Sequence, residues 1–275
     1  FLESLRFLIY NIASTMSDQQ IENGEPRVIT DSEGLMAQFV EVPVERDIIP
    51  VYCAFPQGQE MMPLVLVVQE IFGIHEHIQD VCRRFAKMGC IALAPDLYFR
   101  QGSVNGLSNP EQIYPIVSQV PDQQVMQDLD ATVTWALENG LADPQKIGIT
   151  GFCWGGRIVW LYASTNNKLK AGVAWYGRLD NQVTQNQPRH PINVADDLKC
   201  SVLGLYGGQD HLIPNELVEK MNLKLSNNKK NSMIVTYPQS GHGFFADYRS
   251  SYNQKDAESG WSELLAWFRK HEILE

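Results

Sequence analysis

The chain has 275 residues, of which 44% are hydrophobic and 20% are charged. This composition is typical of a globular protein, and the length is sufficient for one sizeable core. The formal net charge is −10, and an acidic surface argues against nucleic acid or an anionic membrane as a partner.

The first 35 residues are predicted to be a flexible N-terminal extension, because residues 17–35 are polar and interrupted by Gly and Pro. Met16 followed by "SDQQ" resembles a natural start, so residues 1–15 are interpreted as an upstream extension. The apolar stretch from Phe7 to Tyr10 is too short for a signal-peptide core. Residues 36–275 are predicted to form a single domain.

Strands and helices alternate along this domain. Strands at 36–44 and 48–55 have no helix between them, which predicts an antiparallel pair at one edge of a sheet. The run "PLVLVVQE" at 63–70 is typical of a strand buried on both faces. Further along the chain we predict a helix over 78–88 that Gly89 ends, a strand at 90–98, a loop at 101–122, a helix over 125–137, a strand at 146–150, a helix up to 164, a strand at 171–177, an irregular segment at 178–199, a strand at 201–207, a helix from 217, a strand at 233–238 and a helix over 257–268.

The motif "GFCWG" at 151–155 lies between a predicted strand and a predicted helix. It has the form of a nucleophile elbow, with cysteine where serine is usual. Gly151 and Gly155 leave room for a strained backbone at the nucleophile. Cys153 would begin a helix, where the amide donors and the dipole favour a thiolate. The alternative is a tightly packed turn around an inert buried cysteine.

A nucleophile needs a base and a residue that orients the base. In α/β-hydrolases the nucleophile, the acid and the histidine follow in that order after successive strands. Asp210 and His242 each come directly after a predicted strand, at the sheet edge where open α/β sheets hold their sites. We therefore predict a Cys153–Asp210–His242 triad and an α/β-hydrolase fold, with a mainly parallel central sheet and helices on both faces. The adjacent His211 is interpreted as a loop residue.

The loop after the strand at 63–70 is predicted to complete the site. An oxyanion hole needs two backbone donors, for which the amides of Trp154 and Ile71 are suitably placed. Glu70 ends an apolar strand, where a buried carboxylate is costly without a partner. We interpret it as a second acid near Cys153 that can exchange a proton with the thiol; a cap or surface role is the alternative.

No metal site, disulfide or membrane span is expected. The HxH pair His75 and His77 lacks a third ligand at a usual spacing. The five cysteines contain no CxxC pair, so free thiols in a reducing, cytoplasmic compartment are expected. No apolar run approaches ~18 residues.

Four segments together resemble the dienelactone hydrolase family: "VVQEIFGIHEHIQDVCRRFAKMGCIALAPDLYFRQG", "GFCWGGR", "YGGQDHLIP" and "SGHGFF". The resemblance extends from about Val40 to the C-terminus, and the combination is more specific than any one motif. It implies the same fold and triad, no cofactor, and a small ester or lactone as substrate. It also implies that the acid at Glu70 holds the resting cysteine neutral until substrate displaces it.

In the family's type reaction, two arginines hold the carboxylate of a dienelactone. Arg100 in "PDLYFRQG" matches the first and is the predicted substrate-binding residue. The second would follow the histidine of "GHGF", where this chain has Phe245, Ala246 and Asp247 and an arginine only at Arg249. The resemblance therefore supports the chemistry more strongly than the substrate.

The sequence thus predicts a monomeric or weakly dimeric hydrolase that cleaves a dienelactone-type ester or lactone. The alternatives are a general carboxylesterase on neutral esters, a non-catalytic small-ligand binding protein of the same fold, and a thiol redox protein centred on Cys153. The redox alternative lacks an obvious resolving cysteine, because Cys200 precedes a different strand. Residues 101–122 and 178–199 are predicted to cover the pocket.

Overall fold

The structure is a computed structural model and describes residues 28–227 and 230–275. No helix in these two ranges is long and apolar enough to cross a membrane. The elements are, in chain order, β1 (Leu35–Val44), β2 (Asp47–Pro56), β3 (Met62–Val68), α1 (Glu76–Lys87), β4 (Ile91–Pro95), α2 (Pro110–Val117), α3 (Asp122–Glu138), β5 (Ala142–Phe152), α4 (Trp154–Thr165), β6 (Ala171–Trp175), α5 (Pro191–Val194), a 3₁₀ turn (Ala195–Asp197), β7 (Ser201–Gly207), α6 (Asn215–Ser226), β8 (Met233–Tyr237) and α7 (Gln254–Lys270).

These strands form one eight-stranded sheet in the order β1-β2-β4-β3-β5-β6-β7-β8. The pairs β1–β2 and β2–β4 are antiparallel, and every other neighbouring pair is parallel. The mainly parallel sheet and its antiparallel edge are as the sequence predicts. The single domain over residues 36–275 remains a prediction, and this continuous sheet is consistent with it.

Helices cover both faces of the sheet because successive strands are added on either side of its central strands β3 and β5. The crossover β3–α1–β4 runs one way and β5–α4–β6 the other, so right-handed connections put α1 and α4 on opposite faces. Helix α7 joins α1, since the rings of Phe85 and Trp261 lie 5.1 Å apart. Helix α3 joins α4, since the Tyr162 hydroxyl donates to Asp130 at 2.8 Å.

The centre of the sheet is a dry apolar layer. The side chains from Leu64 to Val68 in β3 are fully buried, as the continuous apolar run predicts for a strand covered on both faces. The carboxyl ends of β3, β5, β7 and β8 meet at one edge of the sheet. The four acid, thiol and imidazole residues predicted from the motifs follow those strand ends, at Glu70, Cys153, Asp210 and His242.

The prediction of a continuous loop over 101–122 is wrong, because α2 lies within it. The Asn109 side chain accepts a hydrogen bond from the Glu111 backbone N–H at 2.9 Å, and Pro110 occupies the first turn of the helix. Ile113 and Val117, four residues apart, bury one face of the helix. The Asn-Pro pair is a helix start as well as a turn signal.

The end of β4 and the segment 178–199 also differ from prediction. Strand β4 ends at Pro95, not at residue 98, because the Asp96 carboxylate accepts a hydrogen bond from the Tyr98 N–H at 3.1 Å and turns the chain. The segment 178–199 contains α5 and the 3₁₀ turn. It also contacts the other predicted cover, since the Asp122 N–H donates to the Asn186 carbonyl at 2.8 Å.

Part of the predicted flexible extension is held against α1. The Thr30 N–H donates to Asp80 at 2.5 Å, and the Arg83 Nε donates to the Thr30 carbonyl at 2.6 Å. The Val28 N–H donates to Asp247 at 2.6 Å. The interpretations of residues 1–15 and of the Phe7–Tyr10 stretch lie outside the described residues.

Candidate active site

The turn between β5 and α4 holds Cys153 in a strained backbone conformation, with φ at 55°. A Cβ on Gly151 would lie 2.5 Å from the Gly155 carbonyl oxygen, and one on Gly155 would lie 2.5 Å from the Gln69 carbonyl oxygen. Neither position therefore accepts a side chain. The turn is also tied to the next strand, since the Cys153 N–H donates to the Trp175 carbonyl at 3.0 Å. The sequence motif is thus a genuine strand–elbow–helix turn.

The structure brings Cys153, His242 and Asp210 into one chain of contacts. The Nε2 atom of His242 lies 3.2 Å from the Sγ atom of Cys153. On the other side of the ring, Nδ1 lies 2.8 Å from Oδ2 of Asp210. The second Asp210 oxygen, Oδ1, accepts the Leu212 N–H at 2.8 Å. The Asp210 side chain is fully buried and that of His242 is 14% exposed.

The surroundings of His242 favour its protonated form. Burial alone would lower its pKa, but the neighbouring Cys153 sulfur and the hydrogen bond to Asp210 raise the pKa to about 10. A carboxylate at Nδ1 requires a proton on that nitrogen, which leaves Nε2 to exchange a proton with the sulfur. In this geometry the Asp210 carboxylate orients the His242 imidazole and stabilises its positive charge.

The start of α4 packs against the end of β3. Trp154 is the first residue of α4, where an N–H has no acceptor within the helix. The contact of Gly155 with the Gln69 carbonyl presses the start of α4 against the end of β3, two residues before Ile71. The start of α4 and the loop after β3 therefore meet beside Cys153. The oxyanion roles of Trp154 and Ile71 remain predictions.

Glu70 is fully buried but is not hydrogen-bonded to Cys153. Its Oε2 accepts a hydrogen bond from the Tyr248 hydroxyl, and Nε2 of His75 lies 3.7 Å from the same oxygen. Its Oε1 has no hydrogen-bond partner among the described residues. The surface alternative for Glu70 is excluded by its burial. Proton exchange between Glu70 and Cys153 remains a prediction; in the described residues the sulfur lies against His242 and Glu70 is bound by Tyr248.

Arg100 is held by two carboxylates. Its guanidinium is bidentate to Asp128, at 2.5 Å and 3.2 Å, and its Nε lies 3.3 Å from Asp47. The Asp128 carboxylate is fully buried, so this pair fastens the turn after β4 to α3. The structure therefore shows Arg100 paired within the fold, and its role in binding a substrate carboxylate remains a prediction.

Arg249 is the cation that the structure places at the site. Its Nη1 lies 3.0 Å from the position of a Cβ on Gly243, next to His242, and its Cζ lies 5.6 Å from the Phe72 ring centroid. Burial alone would lower its pKa, but the charge of Glu70 and the nearby Tyr248 and Cys153 groups raise it. Within 28–227 and 230–275, no carboxylate lies within 4.0 Å of its guanidinium nitrogens.

Sequence reasoning noted Arg249 but did not select it, because its spacing from the histidine differs from the family pattern. The only local signal was a guanidinium close to the "GHGF" motif in an otherwise acidic chain.

Two buried donors near the nucleophile have no hydrogen-bond partner among the described residues, the Tyr176 hydroxyl and the Trp154 indole N–H. Tyr176 also has a strained backbone, with φ at 37°, and its ring centroid lies 5.2 Å from that of His242. An unpaired buried donor costs about 1–3 kcal/mol. Such groups next to a candidate nucleophile are suited to bind the oxygens of a ligand.

His75 and His77 belong to a polar network behind Glu70. Nδ1 of His77 lies 2.8 Å from Asp247, and the ring centroid of His75 lies 4.6 Å from that of Tyr248. No group of three or more potential metal ligands occurs in the part of the chain that the structure describes. The hydroxyl of Tyr248, 178 residues from Glu70, was not anticipated from the sequence.

The sheet order, the crossovers and the elbow define an α/β-hydrolase. The profile of the dienelactone hydrolase family matches residues 49–272, well over half of the chain. The protein belongs to the dienelactone hydrolase family.

Individual relatives agree with this assignment. A "Putative carboxymethylenebutenolidase" of Methylorubrum extorquens is 52% identical over 247 residues, covering 90% of this chain and 85% of the relative. A protein of the same name from Escherichia coli K12 is 48% identical over 246 residues, covering 89% and 90%. The crystal structure of a "Putative Dienelactone Hydrolase" from Klebsiella pneumoniae is similar with a TM-score of 0.83 and 47% identity, covering 86% of this chain and 98% of that one.

Proposed function

We propose that the protein hydrolyses a small lactone or ester that carries a carboxylate, with Cys153 as nucleophile. The observation that carries this proposal is the 3.2 Å contact between Cys153 Sγ and His242 Nε2, backed by the 2.8 Å contact of His242 with Asp210. A thiol beside an imidazole that is oriented by a buried acid is an activated nucleophile. Membership of a hydrolase family supports the same reaction class.

The proposed reaction has two steps. The Cys153 thiol passes its proton to His242 Nε2 while its sulfur adds to the carbonyl carbon, and the amides of Ile71 and Trp154 stabilise the resulting oxyanion. The C–O bond then breaks, and the leaving oxygen takes its proton from His242. Water, deprotonated by His242, hydrolyses the thioester and restores the thiol. Each oxyanion donor of this kind contributes about 10²–10³ in rate.

The proposed substrate class follows from the polar groups at the site. The relatives are named for carboxymethylenebutenolide, which is a lactone that carries a carboxylate. In a chain of net charge −10, an anionic substrate needs a local cation, and Arg249 is the half-buried guanidinium beside the triad. The unpaired Tyr176 hydroxyl would supply a further donor.

A general carboxylesterase is the second candidate. The observation that favours it is the pairing of Arg100 with Asp128, because this leaves one cation, not two, for the substrate carboxylate. A single guanidinium discriminates less strongly between charged and neutral esters than a two-point clamp.

We also infer a reducing compartment such as the cytoplasm. All five cysteines are free, and four of them are buried, with Cys153 alone partly exposed. A free and accessible nucleophilic thiol persists longest where disulfides and sulfenic acids are reduced.

The test compares wild type, Cys153→Ala and Arg249→Gln on a dienelactone and on a neutral aryl ester. We expect Cys153→Ala to abolish turnover of both substrates while the fold remains intact. Arg249→Gln should raise KM for the dienelactone by about 10- to 100-fold, the value of a charged hydrogen bond, and leave the neutral ester nearly unchanged.

Retained hydrolysis by Cys153→Ala would refute the mechanism. An equal loss on both substrates in Arg249→Gln would refute the role of Arg249. A wild-type preference for the neutral ester would favour the general carboxylesterase.

A further inference from the structure

The first of the two predicted covering segments, residues 101–122, packs against the loop after β3. The Cγ2 atom of Val104 lies 2.9 Å from the position that a Cβ on Gly73 would take. The Gly73 N–H donates to the Glu70 carbonyl at 3.4 Å, so this contact lies in the loop that begins at the buried acid. No space for even a methyl group is left between the segment and that loop.

The second covering segment, residues 178–199, begins next to the candidate base. It follows Tyr176, whose ring centroid lies 5.2 Å from that of His242. Residues 177–190 contain no helix or strand, and the side chains of residues 180–185 are exposed. A stretch of this kind buries little apolar surface of its own, so its position depends on the groups that hydrogen-bond to it.

Arg157 of α4 binds both covering segments. Its Nη1 and Nη2 donate to the two oxygens of Asp122 at 2.7 and 2.8 Å. Nη2 also donates to the Arg189 carbonyl at 2.8 Å, and Nε donates to Nδ1 of His190 at 3.3 Å. Asp122 ends the first segment, whereas Arg189 and His190 belong to the second. One guanidinium therefore holds both segments, and we call Arg157 with these three partners the Arg157 latch.

The latch lies one helical turn from the candidate nucleophile. The Arg157 N–H donates to the Cys153 carbonyl at 3.2 Å, which is the first hydrogen bond of α4 after the elbow. The Arg157 side chain is only 4% exposed and that of Asp122 is 13% exposed. A planar guanidinium that is bidentate to a carboxylate fixes the angle as well as the distance between its partners. The position of the first covering segment is thus tied to the position of the elbow.

His190 connects the latch to the exposed part of the second segment. Burial and the charge of Arg157 lower the pKa of His190, so its imidazole is neutral near pH 7. Because Nδ1 accepts from Arg157, the proton lies on Nε2, which donates to the Gln182 carbonyl at 3.3 Å. The exposed stretch is therefore held through His190.

The two covering segments also contact each other directly. The Asp122 N–H donates to the Asn186 carbonyl at 2.8 Å, and the Asn186 side-chain amide donates to the Ser118 carbonyl at 2.9 Å. The segments therefore form one unit, and Arg157 fastens this unit to the helix that follows Cys153.

We propose that Arg157 is a positioning residue whose latch holds the two covering segments over the site and thereby limits the substrate to a small acyl group. The inference rests on the proposed function, in which Cys153 takes up the acyl group. Arg157 acts through the segments and does not touch the substrate. When the latch is broken the segments can separate, and a longer acyl chain then finds room.

The first experiment measures kcat/KM for p-nitrophenyl acetate and for p-nitrophenyl hexanoate in wild type, Arg157→Gln and Asp122→Asn. Both esters are neutral, so a substrate carboxylate plays no part in the comparison. The ratio of the two kcat/KM values is the quantity of interest, because the fraction of correctly folded enzyme cancels in it. Asp197→Asn is the matched control, since it breaks the half-exposed ion pair with Arg189 in the same segment.

We expect the preference for the acetate to fall about tenfold in Arg157→Gln and in Asp122→Asn, the effect of losing a hydrogen bond between charged groups. The control should stay within about twofold of wild type. A merely structural role for Arg157 would lower kcat/KM for both esters by the same factor and leave the ratio unchanged. Asp122→Asn preserves the shape of the side chain, so the test does not depend on the folding of Arg157→Gln.

The second experiment measures the rate of tryptic cleavage after Arg178, an exposed residue at the start of the second segment, under native conditions. This rate follows local opening of the segment and needs no enzymatic activity. It should rise about tenfold in Arg157→Gln and in Asp122→Asn and remain at the wild-type value in Asp197→Asn.

A cleavage rate within about twofold of wild type in both latch variants would overturn the latch. An acetate-to-hexanoate ratio within about twofold of wild type in both would overturn its role in specificity. Hydrolysis of the esters by Cys153→Ala would refute the proposed function and with it the limit on the acyl group. The tryptic cleavage rates would still decide separately whether Arg157 holds the segments.

Discussion

The hydrogen bonds of Asp210 make Asp210→Asn an incisive substitution. In the wild type, Oδ1 accepts the Leu212 N–H at 2.8 Å and Oδ2 accepts His242 Nδ1–H at 2.8 Å. Asparagine has only one oxygen for these two donors. If that oxygen stays with Leu212, the amide NH₂ faces His242, and Nδ1 must become an acceptor. The proton then moves to Nε2, where it blocks proton transfer from Cys153.

The expected loss follows from these contacts. The opposite orientation of the amide sets NH₂ against the Leu212 N–H, which leaves a buried donor unpaired at about 1–3 kcal/mol. The lost charge removes a hydrogen bond of about 1.5–3 kcal/mol that favours the imidazolium. Together these effects come to roughly 2.5–6 kcal/mol, or about 10²–10⁴ in kcat/KM. The same change of tautomer in a serine protease triad costs about 10⁴ in kcat.

The assay is steady-state hydrolysis of the preferred substrate by Asp210→Asn and Asp210→Ala, with the exposed Asp196→Asn as control. We expect Asp210→Asn to be no more active than Asp210→Ala, although it is closer in shape, because alanine leaves the tautomer free. Activity of Asp210→Asn within about tenfold of wild type would refute the tautomer argument.

Two further predictions concern stability. Arg100→Gln strands the buried Asp128 carboxylate and should lower the melting temperature while changing KM for a carboxylated lactone by less than about twofold, a split that a substrate clamp would not show. Burial raises the pKa of Asp128 from its usual 3.8 to about 7, so the folded state binds a proton that the unfolded state has lost, and stability from this group falls as pH rises between these values. The decrease in melting temperature caused by Arg100→Gln should therefore be greater above about pH 7 than below it. Thermal unfolding of wild type and variant at two pH values checks this. Gly155→Ala places a Cβ 2.5 Å from the Gln69 carbonyl and should destabilise by about 1–3 kcal/mol or more, measured against Gly241→Ala, where the nearest atom is 3.7 Å away.

The contacts among Cys153, His242 and Asp210 could be predicted from the sequence because their requirements are local. Gly151 and Gly155 are needed by the elbow itself, and the strand ends before Asp210 and His242 are visible as apolar runs. Parallel strands bring such ends to one edge whatever the details of packing. The start signal of α2 is also local, because it consists of Asn109 and Pro110. The same pair of residues is typical of a turn, so the sequence alone did not distinguish the helix from a loop.

The partners of the charged side chains were decided by the tertiary structure. Arg100 follows a family motif, yet it is bound by Asp128 in α3, whereas Arg249, at an unexpected spacing, reaches the triad. The partner of Glu70 is a tyrosine 178 residues further along the chain. A long polar side chain reaches several neighbours, and which of them it binds depends on packing that no local pattern encodes. The sequence by itself therefore determined the fold class and the position of Cys153 at the elbow, because both follow from local patterns, while the tertiary structure alone decided which cation lies beside Cys153 and which groups contact Glu70.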